Sequence, residues 1–285
     1  MKSVKNMNPQ DHKSAVAAGY DKIGEIYGNL ATRSRTAQRT KYESVLLDSL
    51  DERARALDLG CGSGIPTTRR LARKLQVTGV DISEMQVKRA RANVPDAEFI
   101  CSDMATLDFP SATFDGISAF YSIIHLPRDE QAALINAITK WLRPGGTFVG
   151  CLGVRDLEAD CDETWMGTPM FWSTFDADTN RRIVNESGLV TISALEETTY
   201  LRGEEASLHG ESETFLWIVA KKLVNYDASG TSLMMAATLS PGSLRSPSTT
   251  YGPPCGKSCE VCSPHSRPCP CTTSKLVGCR QPGNK

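Results

Sequence analysis

A glycine-rich turn directly after a short apolar run constrains the fold of this chain more than any other feature. The run covers residues 54–59, and Gly60, Gly62 and Gly64 follow it at alternate positions. Glycine permits a tight turn and lets a ligand approach the backbone closely. A short apolar run that ends in such a turn is typical of a buried parallel strand. The segment therefore predicts a strand that leads into a ligand-binding loop.

Strand and helix patterns then alternate along the chain. Four more apolar runs predict strands at residues 77–82, 97–101, 116–120 and 147–154. Helical patterns lie between them at residues 68–74, 83–90 and 131–142, and Ser83 is predicted to cap the second of these helices. This alternation predicts an α/β fold with a doubly wound, mostly parallel sheet.

The two ends of the chain differ from this core. We expect a flexible N-terminus over residues 1–15, helix from about residue 12 to 50, and one domain over residues 16–223. Residues 155–175 are aromatic and predicted to be irregular. A helix over residues 178–187 and strands over 190–200 and 214–222 should complete the domain.

Acidic residues at the ends of the first three strands indicate which ligand the loop holds. The loop has no lysine, unlike a P-loop, and Asp58 before its first glycine would repel a pyrophosphate. That carboxylate suits a ligand with ammonium and sulfonium groups, such as S-adenosylmethionine (SAM). Asp81 can accept two ribose hydroxyls, as in dehydrogenases. Asp103 and Met104 offer an acceptor for an adenine amino group beside an apolar side chain. Asp58 and the Asp103-Met104 pair disfavour an NAD-dependent oxidoreductase.

Five successive segments resemble the motifs of class I SAM-dependent methyltransferases in order and spacing. They are Leu57 to Gly64, Val80 to Ser83, Ser102 to Met104, Phe114 to Gly116 and Leu142 to Gly146. The resemblance covers about residues 16–222 and implies a Rossmann-like methyltransferase fold with SAM as cofactor.

Further segments resemble one group of small-molecule methyltransferases, of the type 11 and type 25 kind. They are Tyr20-Asp21, Tyr27, Trp165 to Asp176, Thr179 to Arg182 and Thr214 to Trp217. This resemblance implies a seven-stranded sheet whose final strand runs antiparallel, and an N-terminal helix over the cofactor. The cofactor-binding residues predicted in this way are Tyr20, Tyr27, Asp58, Gly60, Cys61, Gly62, Gly64, Asp81, Ile82, Asp103, Met104 and Phe120.

The catalytic and acceptor-binding residues are predicted from their place after the fourth and fifth strands. Ligands bind beyond the carboxyl ends of the strands in this architecture, and His125 and Tyr121 follow the fourth strand. We name His125 first, and Tyr121 second, as a general base; the alternative is that His125 only packs beside the cofactor.

A lid over the acceptor is predicted from four aromatic or flexible side chains, with core packing as its alternative. These are Trp165, Met166, Phe171 and Trp172.

The composition of the chain indicates which classes of partner it can bind. The 32 basic and 33 acidic residues give a formal net charge of −1, which provides no long-range attraction to nucleic acid or to an anionic membrane. No apolar stretch has the length of a signal peptide or a membrane span. We therefore expect a cytoplasmic protein that acts on a small molecule, with nucleic acid disfavoured as a partner and no membrane association; its oligomeric state is left open.

The C-terminal segment, residues 224–285, is rich in Ser, Pro and Cys and lacks apolar periodicity. Six of the 10 cysteines lie there, at a spacing that can bind zinc. The low-complexity surroundings favour disorder instead, and an error in the predicted 3′ end of the gene is a third interpretation. No metal site is predicted.

Together these features predict a SAM-dependent methyltransferase that transfers a methyl group to N, O or S of a small molecule. A tailoring step in secondary metabolism is the favoured role. The alternative is a SAM-binding protein without turnover, acting as a partner subunit or a sensor.

Overall fold

The computed structural model describes residues 8–31, 36–203, 206–207 and 210–224. The predictions for residues 1–7 and for the cysteine-rich C-terminal segment lie outside the described residues. No helix in the described part of the chain is long and apolar enough to cross a membrane.

Among the described residues, seven strands form the main sheet, in the order β3-β2-β1-β4-β5-β9-β8, and two more form a separate sheet, β6-β7. The strands are β1 (Arg55–Leu59), β2 (Gln76–Asp81), β3 (Glu98–Cys101), β4 (Phe114–Ala119), β5 (Leu142–Leu152), β6 (Leu157–Asp162), β7 (Met170–Thr174), β8 (Leu189–Tyr200) and β9 (Ser212–Lys222). The first five pair in parallel. The last, β9, runs antiparallel between β5 and β8. The predicted seven-stranded sheet with an antiparallel final strand is confirmed.

Six helices accompany the strands in the described ranges. They are α1 (Pro9–Ala31), α2 (Thr36–Ser49), α3 (Thr67–Leu71), α4 (Glu84–Asn93), α5 (Arg128–Trp141) and α6 (Ala177–Glu186). Ser83 caps α4 as predicted, because its side chain accepts a hydrogen bond from the Gln86 N–H. Gly188, at φ +90°, follows α6, a conformation that glycine adopts without strain.

The main sheet is buried on both faces, which explains why its parallel strands read as apolar runs. On one face α5 and α6 bury Trp141 and Val184 against β1, β4 and β5. On the other face α2 and α3 bury Tyr42 and Leu71, and Tyr42 stacks on Trp217 of β9 at 4.5 Å between ring centres. Two apolar cores on opposite faces hold the carboxyl edge of the sheet in place.

Two sequence-based boundaries are corrected by the structure. Helix α1 begins at Pro9, so residues 9–15, assigned to a flexible terminus, are helical. Residues 155–175 were expected to be irregular, but β6 and β7 pair antiparallel across most of that segment. The β6-β7 pair packs on α1 through Val16, Ile23, Met170 and Phe171. Helix α1 and this second sheet form one cap, which covers the carboxyl edge of the main sheet.

Candidate functional site

A cavity lies at the carboxyl edge of the parallel strands, beneath the cap, and we call it the glycine-loop cavity. Its empty volume is about 860 Å³, including its open mouth. Loops after β1, β2 and β4 supply most of its wall, and α1 supplies much of the rest, with single residues from α2, α4 and the turn after β3. Of the predicted cofactor residues, the following line it: Tyr20, Tyr27, Asp58, Gly60, Cys61, Gly62, Asp81, Ile82, Met104 and Phe120.

The glycines of the loop serve different purposes. All three have positive φ, at +73° for Gly60, +54° for Gly62 and +76° for Gly64. A Cβ on Gly60 would lie 2.2 Å from the Cβ of Ser122, whereas a Cβ on Gly62 would meet nothing within 4 Å. Gly60 is therefore needed for close packing, and Gly62 leaves space for a ligand. Gly64 lies outside the cavity lining and packs against α4.

Asp58 is buried beneath the loop. Its two carboxylate oxygens accept hydrogen bonds from the hydroxyls of Thr68, at 2.6 Å, and Ser118, at 2.8 Å. Burial raises the pKa of Asp58, while these hydroxyls and the nearby Arg39 charge oppose that shift. The carboxylate thus joins β1 to α3 and β4 and also contributes negative charge to the cavity.

Asp81 is positioned by two backbone groups at the end of β2. The N–H of Gly62 donates to one carboxylate oxygen at 2.8 Å, and the N–H of Ser83 donates to the other at 2.9 Å. Burial raises the pKa of Asp81 to about 6, although both N–H groups favour the ionised form. A carboxylate held in this way keeps lone pairs on both oxygens for hydroxyls of a ligand.

Arg39 of α2 is a cavity residue that sequence reasoning missed. It is 7% exposed, lines the glycine-loop cavity, and places its guanidinium over the Tyr121 ring at 5.2 Å. The signal that can reveal it is helical spacing: Arg39 and Glu43 share one buried face of α2, and Arg70 pairs with Glu43. A buried guanidinium is suited to a carboxylate ligand.

A second, larger cavity adjoins the first, and we call it the aromatic cavity. Its empty volume is about 1890 Å³, including its open mouth, and β6, β7 and the start of β9 supply much of its wall. Four residues line both cavities, namely Tyr20, Tyr27, Tyr121 and His125. Trp165 and Trp172, predicted to bind the acceptor, also line the aromatic cavity.

His125 stands between the cavities with both ring nitrogens engaged. Nδ1 lies 2.8 Å from the carbonyl oxygen of Phe171, and Nε2 lies 2.9 Å from the hydroxyl of Tyr20. A carbonyl only accepts, so Nδ1 carries the proton and Nε2 accepts the Tyr20 hydroxyl. Desolvation lowers the pKa of His125 to about 4. The predicted direct general base therefore presents no open lone pair to either cavity, and its contact is with Tyr20.

Three other predicted residues lie elsewhere. Asp103 is outside the lining of both cavities, because it forms an ion pair with Lys13 of α1 at 2.6 Å and accepts the Ala105 N–H. Phe171 is 1% exposed and stacks on His12 at 4.1 Å, with its side chain in the core of the cap. Met166 packs at the edge of that core. The core-packing alternative holds for Phe171 and Met166.

Comparisons with known proteins agree with this architecture. Residues 56–146 match the family described as a methyltransferase domain. A 27-O-demethylrifamycin SV methyltransferase of Amycolatopsis mediterranei is 33% identical over 160 residues, which are 52% of this chain and 58% of that protein. An O-methyltransferase of Pyrenophora dematioidea is 27% identical over 208 residues, 59% of this chain and 74% of that protein. The chain thus spans less than two thirds of the Amycolatopsis enzyme.

A solved structure shares the fold at low sequence identity. It is the 1,6-didemethyltoxoflavin-N1-methyltransferase of Burkholderia thailandensis, with a TM-score of 0.56 and 17% identity over 76% of this chain and 91% of that chain. The domain match includes β1, β2, β3 and β4 with the loops that form the glycine-loop cavity. The sheet order, the glycine loop and the methyltransferase-domain match over residues 56–146 together support a fold of the class I SAM-dependent methyltransferase kind.

Proposed function

We propose that this protein binds SAM in the glycine-loop cavity and transfers its methyl group to N, O or S of a small molecule in the aromatic cavity. The observation that carries the proposal is the junction of the two cavities at four shared residues. A donor and an acceptor can meet there without leaving the protein, and proximity of that kind accounts for much of enzymatic rate enhancement.

The glycine-loop cavity fits the chemical groups of SAM. Asp81 offers two oxygens to the ribose hydroxyls, and the space beside Gly62 admits a ligand against the backbone. Arg39 and Asp58 offer opposite charges to the carboxylate and ammonium of the amino-acid end. Apolar walls for the adenosine come from Ile82, Met104 and Phe120. When bound, SAM supplies a methyl group on a sulfonium, which leaves a neutral thioether.

Helix α1 has the role of excluding water from the junction. Its Tyr20 and Tyr27 rings lie 5.3 Å apart edge to face and line both cavities. The helix is held from two sides. Lys13 pairs with Glu130 of α5 at 2.8 Å as well as with Asp103, and Asp21 accepts the Met85 N–H at the start of α4. A dry junction strengthens the electrostatic interactions within it.

We assign His125 as a positioning residue that acts through Tyr20. The Tyr20 hydroxyl donates its proton to Nε2, so its oxygen presents lone pairs to the junction. Those lone pairs can accept a hydrogen bond from an acceptor N–H or O–H and align the attacking atom. Tyr121, the second predicted base, lines both cavities beneath Arg39, and we propose that it contributes shape there.

Calorimetric titration of SAM and S-adenosylhomocysteine into the full chain tests the proposal. We expect micromolar binding that Asp81→Ala weakens about tenfold or more, because two hydrogen bonds to a charged acceptor are lost. Asp96→Ala, which removes an exposed acid outside the glycine-loop cavity, should leave the affinity unchanged. Absence of binding by the wild-type protein would overturn the proposal.

Turnover separates the methyltransferase from the binding-only alternative. Small-molecule acceptors are screened by mass spectrometry for a gain of one methyl group and for S-adenosylhomocysteine. Binding without turnover across N, O and S acceptors would favour a partner subunit or sensor instead.

We also propose a cytoplasmic role in secondary metabolism. Cys61 and Cys101 are free thiols, which is usual in a reducing compartment. The Amycolatopsis relative is named for methylation of a small molecule, 27-O-demethylrifamycin SV. Cell fractionation tests the cytoplasmic location, and metabolite profiling of a deletion strain tests the role in secondary metabolism.

A further inference from the structure

The wall of the aromatic cavity beside the junction is formed by rings at steep angles to one another. Trp165 and Trp172 meet edge to face, with 5.4 Å between ring centres and 88° between planes. Tyr27 lies 5.8 Å from Trp165, and Tyr20 lies 6.4 Å from it. Rings that converge in this way present several π faces to one volume. Such faces attract an organic cation.

The side chains that line the aromatic cavity also carry an excess of negative charge, which favours a cation. Among the described residues that line it, four are acidic and one is an arginine, Arg155; the acidic ones are Asp160, Asp162, Glu163 and Glu213. Asp160 of β6 lies directly opposite Trp172 of β7 in the strand register. A carboxylate therefore stands beside one of the converging rings, on the exposed side of the cavity.

The groups at the junction also bear on which atom accepts the methyl group. A hydroxyl or thiol must lose its proton during transfer, and a neutral amine need not. His125 is the only imidazole among the described residues that line the two cavities, and both of its nitrogens are engaged. The junction thus presents the Tyr20 oxygen, which can accept an N–H, without an open imidazole nitrogen to take up a proton.

Resting on the proposed function, we infer that the acceptor is an amine nitrogen on a molecule with an apolar body, and that the aromatic cavity stabilises the ammonium product. The nitrogen lone pair forms the new N–C bond, and the electron pair of the broken C–S bond stays on sulfur. The positive charge passes from the sulfonium to the nitrogen. It moves from the glycine-loop cavity to a volume lined by π faces and carboxylates.

Binding of a product-like cation to the full chain tests this inference without turnover. The probes are trimethyl(1-naphthylmethyl)ammonium and its neutral isostere, 1-neopentylnaphthalene, titrated with saturating S-adenosylhomocysteine and followed by calorimetry. The wild-type protein should bind the cation about tenfold more tightly than the isostere. Equal affinities, or a preference for the isostere, would overturn the inference.

Two variants test which residues of the aromatic cavity produce the preference for the cation over the isostere. Trp172→Leu should reduce the ratio of cation affinity to isostere affinity to about twofold, because a π face is lost. Asp160→Asn should reduce that ratio about threefold at low ionic strength, and its matched control on β6, Glu158→Gln, lies outside the cavity lining and should not change it. The ratio cancels a general loss of packing. An unchanged ratio in both Trp172→Leu and Asp160→Asn would place the cation elsewhere and contradict the assignment.

The control titration separates failure of this inference from failure of the proposed function. If S-adenosylhomocysteine binds but the cation is not preferred, the methyltransferase proposal stands and the amine acceptor is rejected. If S-adenosylhomocysteine does not bind, both are rejected.

Discussion

The glycine-loop cavity and the aromatic cavity share four residues but are assembled in different ways. Most of the first comes from loops that directly follow β1, β2 and β4, so its residues are set by the strands before them. The second depends on α1, the β6-β7 pair and β9, which are three parts of the chain that lie far apart in sequence. In the proposed function, donor binding is therefore a property of the sheet edge, and acceptor binding is a property of the cap. Helix α1 belongs to both.

The largest expected effect tests whether α1 joins the two cavities. Lys13→Met leaves Asp103 and Glu130 without their cation and should lower the free energy of unfolding by about 2–4 kcal/mol. Urea denaturation measures this, and S-adenosylhomocysteine affinity should fall with it. Lys22→Met removes one exposed hydrogen bond from the same helix and should change stability by about 1 kcal/mol or less. Equal losses in the two variants would contradict a special role for Lys13.

The next effect concerns the loop alone. Gly60→Ala should lower the free energy of unfolding by about 2–4 kcal/mol, since it combines a positive φ with overlap against Ser122. Gly62→Ala has a positive φ but open space, so we expect about 1–2 kcal/mol. Thermal or urea unfolding compares them. Adding Ser122→Gly to Gly60→Ala should recover part of the difference, and no recovery would show that the contact is not the cause.

The pH dependence of cofactor binding tests Asp81. Its pKa, raised to about 6 by burial, means that the carboxylate protonates as the pH falls through about 6. If the ionised form receives the ribose hydroxyls, the affinity for S-adenosylhomocysteine should be constant above that pH and fall about tenfold by about pH 5. Titrations at several pH values measure it. The same decrease in Asp81→Asn would assign the effect to another group.

The smallest expected effect concerns His125. Its low pKa keeps the imidazole neutral throughout the usual assay range, and its proposed role is to hold Tyr20. His125→Gln should change kcat by about threefold or less and leave the pH profile flat above about pH 5. Tyr20→Phe, which removes the aligning oxygen, should reduce kcat by about tenfold. A pH-dependent loss of about a hundredfold in His125→Gln would restore the direct general base.

His125 also affects stability. The unfolded state takes up a proton near the ordinary pKa of histidine, and the folded state resists protonation down to about 4. The contribution of neutral His125 to the free energy of unfolding is therefore fully present above about pH 6.5. It is lost as the pH falls from there to about 4. The Asp81 carboxyl acts in the opposite direction over part of that range, because its folded pKa is raised. Urea denaturation of the wild-type protein and of His125→Gln at several pH values isolates the contribution of His125 from that of Asp81.

Much of the sheet edge can be predicted from local patterns, because each ligand-binding loop directly follows an apolar run. Ten of the twelve predicted cofactor residues line the glycine-loop cavity. A residue that directly follows a parallel strand is placed at the carboxyl edge of the sheet, where this cavity lies. Asp103 departs from the pattern since a buried lysine from α1 competes for its carboxylate. No local signal indicates that pairing, because Lys13 and Asp103 are ninety positions apart.

The cap is where local patterns are insufficient. Trp165, Met166, Phe171 and Trp172 are close in sequence, yet only the two tryptophans line the aromatic cavity. For Phe171 and Trp172 the β7 strand decides this, because alternate residues of a strand face opposite sides: Phe171 faces His12 in the core, and Trp172 faces the cavity.

Local sequence patterns specify the doubly wound sheet, its strand types and the loops that end at its carboxyl edge, since apolar runs and glycine positions act over a few residues. Only the tertiary structure decided how His125 is used, which side of the cap each aromatic ring faces, and where Arg39 and Lys13 place their charges. Those outcomes depend on contacts between elements far apart in the chain, and each contact competes with others that the sequence equally permits.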